Sequence, residues 1–394
     1  MFYYSLKRPF YQGGEIFSAY DKDMYKSIKY RIYPNKKQSE IISQTFGCCR
    51  KIWNLILEGK IKSYETNQTF SSKLLSDFAK EYAYLNDVDY SALYNTQKNL
   101  LTLIKTDFKK NGFPKFKSFN YGRKSYTTNN SNNRIELKDK YITFPIVGDV
   151  KSKIHTLPRE DAVIRFATIS KDSDGRYYCS VTFKCTFEPL KQIIDTNNAI
   201  GLDYCSNGLY VDDKGNIGTN HKYFKESEKK LAKLQRRLAK KQGAKKGETK
   251  SNNYLKQLQK VNKVYRHIKN QRNDNLHKIS NEITNHYDVV CVEDLNMVSM
   301  SQKPKLGKST MDNGYGYFIR YLEYKLNNRG KKLIKVGKYF PSSQICSNCG
   351  KLNFEIRDIN IREWECPVCG AKLNRDINAA INIKNEGLRL LSLQ

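Results

Sequence analysis

The chain has 394 residues, and its 70 Lys and Arg against 39 Asp and Glu give a formal net charge of +31. Such an excess repels itself unless a polyanion neutralises it, so nucleic acid is the leading partner and an anionic membrane surface the competing one. The sequence contains neither an apolar run of about 18 residues nor the apolar core of a signal peptide, so we expect a cytoplasmic protein without a membrane partner.

The first half of the chain is predicted to be a small β-barrel with a helical insertion. Residues 1–25 show no clear period, so we expect an N-terminal extension. Apolar residues recur at helical spacing in 36–111, and four strand-like runs follow a polar, turn-rich stretch (120–132) that we expect to be a loop. The predicted domains are therefore a barrel made of 26–35 and 112–195 and a helical lobe made of 36–111.

The second half is predicted to be one mixed α/β domain made of 196–345 and 371–394. Its apolar runs follow the order three antiparallel strands, helix, strand, helix, strand, helix. This is the order of a ribonuclease-H-like fold with an insertion before its last helix. The predicted elements are strands at 199–204 and 209–211 and near Ile217, a helical stretch at 223–286, a strand ending at Glu293, a helix at 315–328, a strand at 331–340 and a helix starting near Asp376.

The insertion, 346–370, carries two Cys-x-x-Cys pairs separated by sixteen residues, Cys346/Cys349 and Cys366/Cys369. Each pair can bind one side of a metal ion from a tight turn, and the spacer lets both pairs meet in a tetrahedral four-thiolate site. We therefore expect a zinc ribbon with structural Zn²⁺; four unrelated buried thiols are the alternative. The other six cysteines lie in apolar contexts, which is typical of reduced core thiols.

Three acidic residues occupy special places in the α/β domain. Asp203 lies in the first strand, Glu293 ends the fourth and Asp376 begins the last helix, with Asp294 a weaker candidate beside Glu293. The first and fourth strands of such a sheet are neighbours, so the three carboxylates can converge. Clustered carboxylates are tolerated chiefly beside divalent metal, and they favour Mg²⁺ or Mn²⁺, which activates water for phosphodiester hydrolysis. Each acid also has an ordinary explanation as a turn residue, a partner of lysine or a helix-N-terminal acid.

A strongly basic stretch, 222–250, contains twelve Lys and Arg and three Glu. Such a run is usually a solvated helix face. In a nuclease domain it is placed to hold a duplex backbone, with Arg266, Lys269, Arg272 and Lys278 extending it.

Short segments along nearly the whole chain match one known family. They are GLDYCSNGLYVDDKG, VVCVEDLNM, GYGYFIRYLEYK, KYFPSSQICSNCG and ECPVCGAKLNRDINAAINI, with YRIYPNKKQ, FGCCRKIWN and GFPKFKS nearer the N-terminus. Together they resemble TnpB, the transposon-encoded RNA-guided nuclease related to type V CRISPR effectors. The resemblance implies a single RuvC-like active site with Asp203, Glu293 and Asp376 as magnesium ligands.

The resemblance also implies partners. A guide RNA from the transposon end would select a double-stranded DNA target, and the split barrel (the wedge domain of the family) and the helical recognition lobe would read a short motif beside it. We expect one chain per RNA. One position departs from the family, which usually has Gly two residues after the first Asp; here it is Cys205, whose side chain could crowd the metal site.

The favoured hypothesis is an RNA-guided DNA endonuclease associated with an insertion sequence. A compact type V CRISPR effector is the nearest alternative, and the neighbouring DNA would decide between the two. A nuclease-inactive or weakly active RNA-guided transcriptional repressor is a second alternative, against which the three intact acids argue. A transposase that joins DNA ends is a third, but it leaves the barrel unexplained.

Overall fold

The computed structural model describes residues 2–3, 24–70, 73, 75–106, 112–119, 124–185, 193–241, 250–302, 312–358 and 360–393. The chain divides into two compact units, Met1–Phe187 and Glu188–Gln394. Most of the predicted N-terminal extension (1 and 4–23) and part of the predicted loop (120–123) lie outside the described residues.

The first unit is built on an antiparallel sheet of eight strands. They are β1 (Phe2–Tyr3), β2 (Met24–Tyr33), β3 (Lys124–Asn129), β4 (Glu136–Leu137), β5 (Tyr141–Phe144), β6 (Gly148–Lys153), β7 (Val163–Lys171) and β8 (Tyr177–Cys185). The hydrogen-bonded order is β3-β7-β8-β2-β6-β5-β4, with β1 on β2. This path has two ends, β3 and β4, so its closure into a barrel stays a prediction.

Strand β3 corrects the sequence analysis, because its residues were expected in a loop. Tyr126 and Thr128 are buried with the period of two that a strand requires. The hydroxyls of Thr127 and Thr168 lie 2.9 Å apart across the β3–β7 pair. Aromatic and β-branched side chains within the polar stretch favour a strand once a partner strand is present.

The described residues between β2 and β3 contain the α-helices α1 (Lys36–Glu65), α2 (Leu75–Glu81) and α3 (Tyr90–Thr106), as the predicted insertion requires. A capping box begins α1, since the Asn35 side chain accepts from the Gln38 amide while the Gln38 side chain accepts from the Asn35 amide. The apolar face of α1, including Ile52 and Trp53, is buried in a core that also contains residues of the sheet.

The second unit contains a four-stranded sheet made of β9 (Ala199–Tyr204), β10 (Tyr210–Asp212), β11 (Val289–Glu293) and β12 (Lys332–Val336). The order is β10-β9-β11-β12, with β10 antiparallel to β9 and the other pairs parallel. The predicted adjacency of the first and fourth strands is confirmed. The short third strand predicted near Ile217 is reduced, in the described residues, to a single antiparallel bridge between Val211 and Ile217.

The helices of the second unit are α4 (Tyr223–Ala239), α5 (Asn252–His286), α6 (Met297–Ser301), α7 (Tyr315–Asn328) and α8 (Arg375–Ser392). The helical stretch predicted at 223–286 is interrupted, since 240–241 and 250–251 are not helical. Residues 242–249 lie outside the described residues. The Ser251 side chain caps α5. Before α8, a small hairpin pairs β13 (Glu363–Glu365) with β14 (Lys372–Asn374).

The two faces of the second sheet are covered by different helices. Ile200, Leu202, Val290 and Val292 belong to a core that includes residues of α5 and α7. The alternate residues Ala199, Val289 and Cys291 belong to a second core with Ile383 of α8. Because side chains alternate along a strand, Asp203 and Glu293 fall on the face that α8 covers.

Candidate active site

Strand register places Asp203 beside Glu293. The parallel pairing of β9 with β11 matches Ala199 with Val289 and continues to Leu202 with Val292. Asp203 and Glu293 are the next residues on these neighbouring strands, which lie about 4.8 Å apart in a sheet. Both side chains are half-buried. Each carboxylate therefore lies near the end of its own apolar strand, and both lie at the same edge of the sheet.

Helix α8 approaches this edge closely because two glycines leave room for it. A Cβ on Gly201 would collide with the carbonyl oxygen of Ala380, and one on Gly387 would collide with the Cys291 side chain. An ion pair fixes the same contact, since the Lys384 ammonium binds Asp213, which also accepts a hydrogen bond from the Gly201 amide at 3.2 Å. Asp376 lies in the first turn of α8, and it is close enough to Asp203 for its charge to act on that carboxyl.

The electrostatics of the three acids reflect their proximity. Burial, followed by the charges of Glu293 and Asp376, raises the pKa of Asp203 to about 8, although Arg375 opposes this shift. Burial also raises the pKa of Glu293. Three carboxylates at one strand edge therefore repel one another, which is the condition that a divalent cation relieves.

The third acid has a cationic neighbour that the sequence analysis missed. Nη1 of Arg362, just before β13, lies 3.1 Å from each carboxylate oxygen of Asp376. The Asn374 side chain caps α8 by accepting from the amides of Asp376 and Ile377. The Asp376 carboxylate is therefore bound by a residue of the ribbon, whereas its backbone is fixed by the helix cap.

Two buried residues of 312–315 contact the end of β9 and the turn that follows it, and were also missed. The ring of Tyr315 packs edge-on against Tyr204 with 5.0 Å between centroids. Its hydroxyl is buried with no hydrogen-bond partner in the described residues, and burial, Asp203 and Glu293 raise its pKa. Asn313 donates to the carbonyls of Cys205 and Gly208 and so fixes the turn after β9, whereas its own oxygen has no partner in the described part of the chain.

Cys205, the departure from the family pattern, is engaged in that turn. Its Sγ accepts a hydrogen bond from the Gly208 amide at 3.3 Å, and its carbonyl oxygen is the one that Asn313 binds. The Cys205 thiol therefore stabilises the turn from Cys205 to Gly208.

The donor set fits a hard divalent cation. Asp203, Glu293 and Asp376 supply oxygen ligands, which Mg²⁺ and Mn²⁺ prefer. The mutual repulsion of these acids fits a site in which a divalent cation neutralises their charge.

The four ribbon cysteines converge as predicted. Their sulfur atoms all lie within 4.8 Å of one another. The Sγ atoms of Cys346 and Cys369 are 3.6 Å apart, and those of Cys349 and Cys366 are 3.7 Å apart. Zn–S bonds of about 2.3 Å in a tetrahedron give sulfur separations of about 3.8 Å. The cluster therefore fits a structural zinc ion.

A basic surface extends along α4. On the buried side of α4, Leu231 packs against Val261, Val264 and Ile268 of α5. The exposed basic residues are Lys225, Lys229, Lys230, Lys233, Arg236 and Arg237. Among the basic residues expected to extend this surface from α5, Arg272 forms an ion pair with Asp312, and Lys278 forms one with Asp274.

In the described part of the chain, no helix is both long enough and apolar enough to span a bilayer.

Three family models match parts of the chain. The OrfB_IS605 model, described as "Probable transposase", matches 182–303, and the "Cas12f1-like, TNB domain" model matches 315–383. A model described as "Helix-turn-helix domain" matches 24–69, where the structure shows a strand and one continuous helix, α1.

Two proteins of known sequence match almost end to end. The "Putative RNA-guided DNA endonuclease" of Streptomyces pristinaespiralis is 32% identical over 378 residues, which cover 92% of this chain and 89% of that protein. InsQ of Escherichia coli (strain K12), which carries the same description, is 26% identical over 390 residues, 93% of each chain.

Among solved structures, the chain shares its fold with a chain of the "Cas12f1-sgRNA-target DNA complex". The TM-score is 0.53 at 17% sequence identity, over 93% of this chain and 99% of the other.

Proposed function

The chain belongs to the TnpB family of RNA-guided DNA endonucleases, and we propose that it is itself such an enzyme, associated with an insertion sequence and cutting DNA in a RuvC-like, ribonuclease-H-like domain. The observation that carries this proposal is the register of β9 and β11, which makes Asp203 and Glu293 neighbours at one edge of the sheet. The charge of Asp376, in the first turn of α8, acts on the same carboxyl.

The proposed catalytic groups are Asp203, Glu293 and Asp376, which would hold Mg²⁺ or Mn²⁺. When bound, such a cation activates water and neutralises charge at the phosphodiester. The residues around them keep the carboxylates in place: the Lys384–Asp213 pair anchors α8 to the sheet, and Asn313 fixes the turn after Asp203. The pKa of Asp203, raised to about 8 without metal, supports a site built to work with a cation.

The proposed partners are a guide RNA and double-stranded DNA. The relatives are described as RNA-guided DNA endonucleases, and the chain of similar fold was solved with guide RNA and target DNA. The exposed basic residues of α4 support a polyanionic partner, because each neutralised phosphate releases counterions. Sequence choice would then come from RNA–DNA pairing, whereas the protein binds backbone shape.

A compact type V CRISPR effector is the second candidate, since the Cas12f1 likeness covers 93% of the chain. The two candidates share one chemistry and differ in the origin of the guide. The DNA on either side of the gene, transposon ends or a repeat array, separates them.

The test is a matched pair of substitutions in the full chain bound to its RNA. Asp203→Ala should abolish DNA cleavage and leave RNA-guided DNA binding within about twofold, because it removes a proposed metal ligand and leaves the basic surface intact. Glu282→Ala is the control, since it removes an exposed acid of α5 that is not a candidate ligand. If Asp203→Ala cleaves like the wild type, the assignment of the active site is wrong.

A further inference from the structure

Asn378 of α8 binds the main chain on both sides of a zinc ligand. Its Nδ2 donates to the Ile345 carbonyl at 2.7 Å, and its Oδ1 accepts from the Ser347 amide at 2.8 Å. These two backbone groups flank Cys346. Asn378 is only 1% exposed, so neither contact can be replaced by solvent. The turn that presents Cys346 is therefore attached to α8 by one buried side chain.

Asn382, one helical turn later, repeats the attachment. Its Nδ2 lies 2.7 Å from the carbonyls of both Ser342 and Ile345, and the residue is 5% exposed. Because residues four apart share a helix face, Asn378 and Asn382 form one row against the segment that leads into the ribbon. A buried carbonyl that loses its hydrogen-bond donor costs about 1–3 kcal/mol. Asn378 and Asn382 therefore stay bound to this segment only while the segment keeps its conformation.

The same end of α8 carries Asp376, two residues before Asn378. A further contact binds this end to the ribbon, since Arg375 donates to the Asp358 carbonyl at 2.9 Å. The first turn of α8 therefore touches the ribbon through Arg375 and Asn378. The shape of the ribbon in turn depends on its four thiolates being held together.

We propose that Asn378 is a positioning residue that transmits zinc occupancy to Asp376, so that zinc in the ribbon and a divalent cation at the carboxylates bind cooperatively. This rests on the proposed function, in which Asp376 is a ligand of that cation. Zinc fixes the turn at Cys346, Asn378 fixes α8 to that turn, and the first turn of α8 places the Asp376 carboxylate. Without zinc, the contact between Asn378 and the Cys346 turn loosens. The Asp376 carboxylate is then no longer held in position to bind the cation.

Linkage makes the proposal measurable without any cleavage assay. If zinc raises the affinity for Mg²⁺ by some factor, Mg²⁺ must raise the affinity for zinc by the same factor, and such factors are typically about 5- to 150-fold. We therefore expect the zinc affinity of the full chain, obtained by competition with a chromogenic zinc chelator, to rise at least about fivefold in saturating Mg²⁺. Asp203→Ala should bind zinc normally but show no effect of Mg²⁺, because the second site is damaged.

Asn378→Ala should retain one zinc per chain in the absence of chelator and lose most of the effect of Mg²⁺. Asn353→Ala is the matched control, since this ribbon asparagine caps only the short helix Phe354–Arg357 and should behave as wild type. In cleavage assays, Asn378→Ala should raise the Mg²⁺ concentration for half-maximal rate at least about fivefold, with a smaller change in the rate at saturation.

The zinc affinity with and without Mg²⁺ is measured on the wild-type chain alone, so it tests the proposal even if Asn378→Ala fails to fold. Unchanged zinc affinity in a chain that binds Mg²⁺ and cuts DNA would overturn the coupling and leave the proposed function standing. A wild-type chain that neither binds Mg²⁺ nor cuts a guided target would overturn both.

Discussion

The guanidinium of Arg362 and the carboxylate of Asp376 are in direct contact, with Nη1 3.1 Å from each oxygen. The arginine comes from the ribbon, and the acid is the third proposed metal ligand. A cation therefore already neutralises Asp376 when no metal is bound. Because the same oxygens would serve the metal, arginine and metal compete for them.

Arg362→Gln should strengthen divalent-metal binding. Exposed ion pairs are worth about 0.2–1 kcal/mol, so removing the competitor should lower the Mg²⁺ concentration for half-maximal thermal stabilisation by about two- to fivefold. Arg357→Gln is the control, since it removes the same charge from the ribbon at an exposed site. Weaker Mg²⁺ binding in Arg362→Gln alone would show that the arginine assists the metal.

The pKa of Asp203 predicts a pH dependence of stability. Its value is about 8 in the folded chain and about 3.9 in an unfolded one. Between these values the folded chain binds more protons, so the free energy of unfolding falls as pH rises from about 4 to about 8. Lys325 acts in the opposite direction, because burial lowers its pKa to about 7 and the unfolded chain then binds more protons there. The contribution of Asp203 is therefore measured without added Mg²⁺ as a difference between the wild type and a variant that cannot titrate at position 203.

Asp203→Asn isolates the contribution of Asp203, because its side chain does not titrate. Between pH 6 and 8 the wild type should lose more stability than the variant. Mg²⁺ should stabilise the wild type more at pH 8, where binding displaces fewer protons. Identical pH profiles for wild type and variant would contradict the raised pKa.

Gly201→Ala should destabilise the second unit, because the new methyl group meets the Ala380 backbone. Overpacking of this kind costs about 1–3 kcal/mol and would push α8 off the sheet. Gly47→Ala is a useful contrast, since an added Cβ in the middle of α1 meets nothing within 4 Å; it should stabilise its own unit by roughly 0.5–1 kcal/mol. Thermal unfolding of both variants measures the difference.

Much of the candidate site could be predicted from the sequence because apolar strands and cysteine spacing are strong local signals. The run ending at Glu293 is apolar at four successive positions, which only a central strand needs, and the paired Cys-x-x-Cys motifs specify their own geometry. Strand β3 was missed because its inward-facing Tyr126 and Thr128 are separated by polar residues and acquire their role only through β7.

The supporting residues could not be predicted for a different reason. Asn, Arg and Tyr are common residue types in this chain. Asn378, Arg362 and Tyr315 matter because of the residues that they contact far away in the sequence. Asn378 reaches back 33 residues to Ile345, and no local pattern marks such a contact. The fixed spacing from Asp376 to Asn378 and Asn382 was visible, but only the structure shows what these amides bind.

The central claim is tested most directly by co-expressing the chain with its flanking DNA, sequencing the RNA that co-purifies and challenging the complex with a matching DNA target. We expect one defined RNA and cleavage that requires Mg²⁺, the guide match and Asp203. A complex that contains a defined RNA and binds the target, but leaves it intact at saturating Mg²⁺, would contradict the nuclease assignment and indicate an RNA-guided DNA-binding protein.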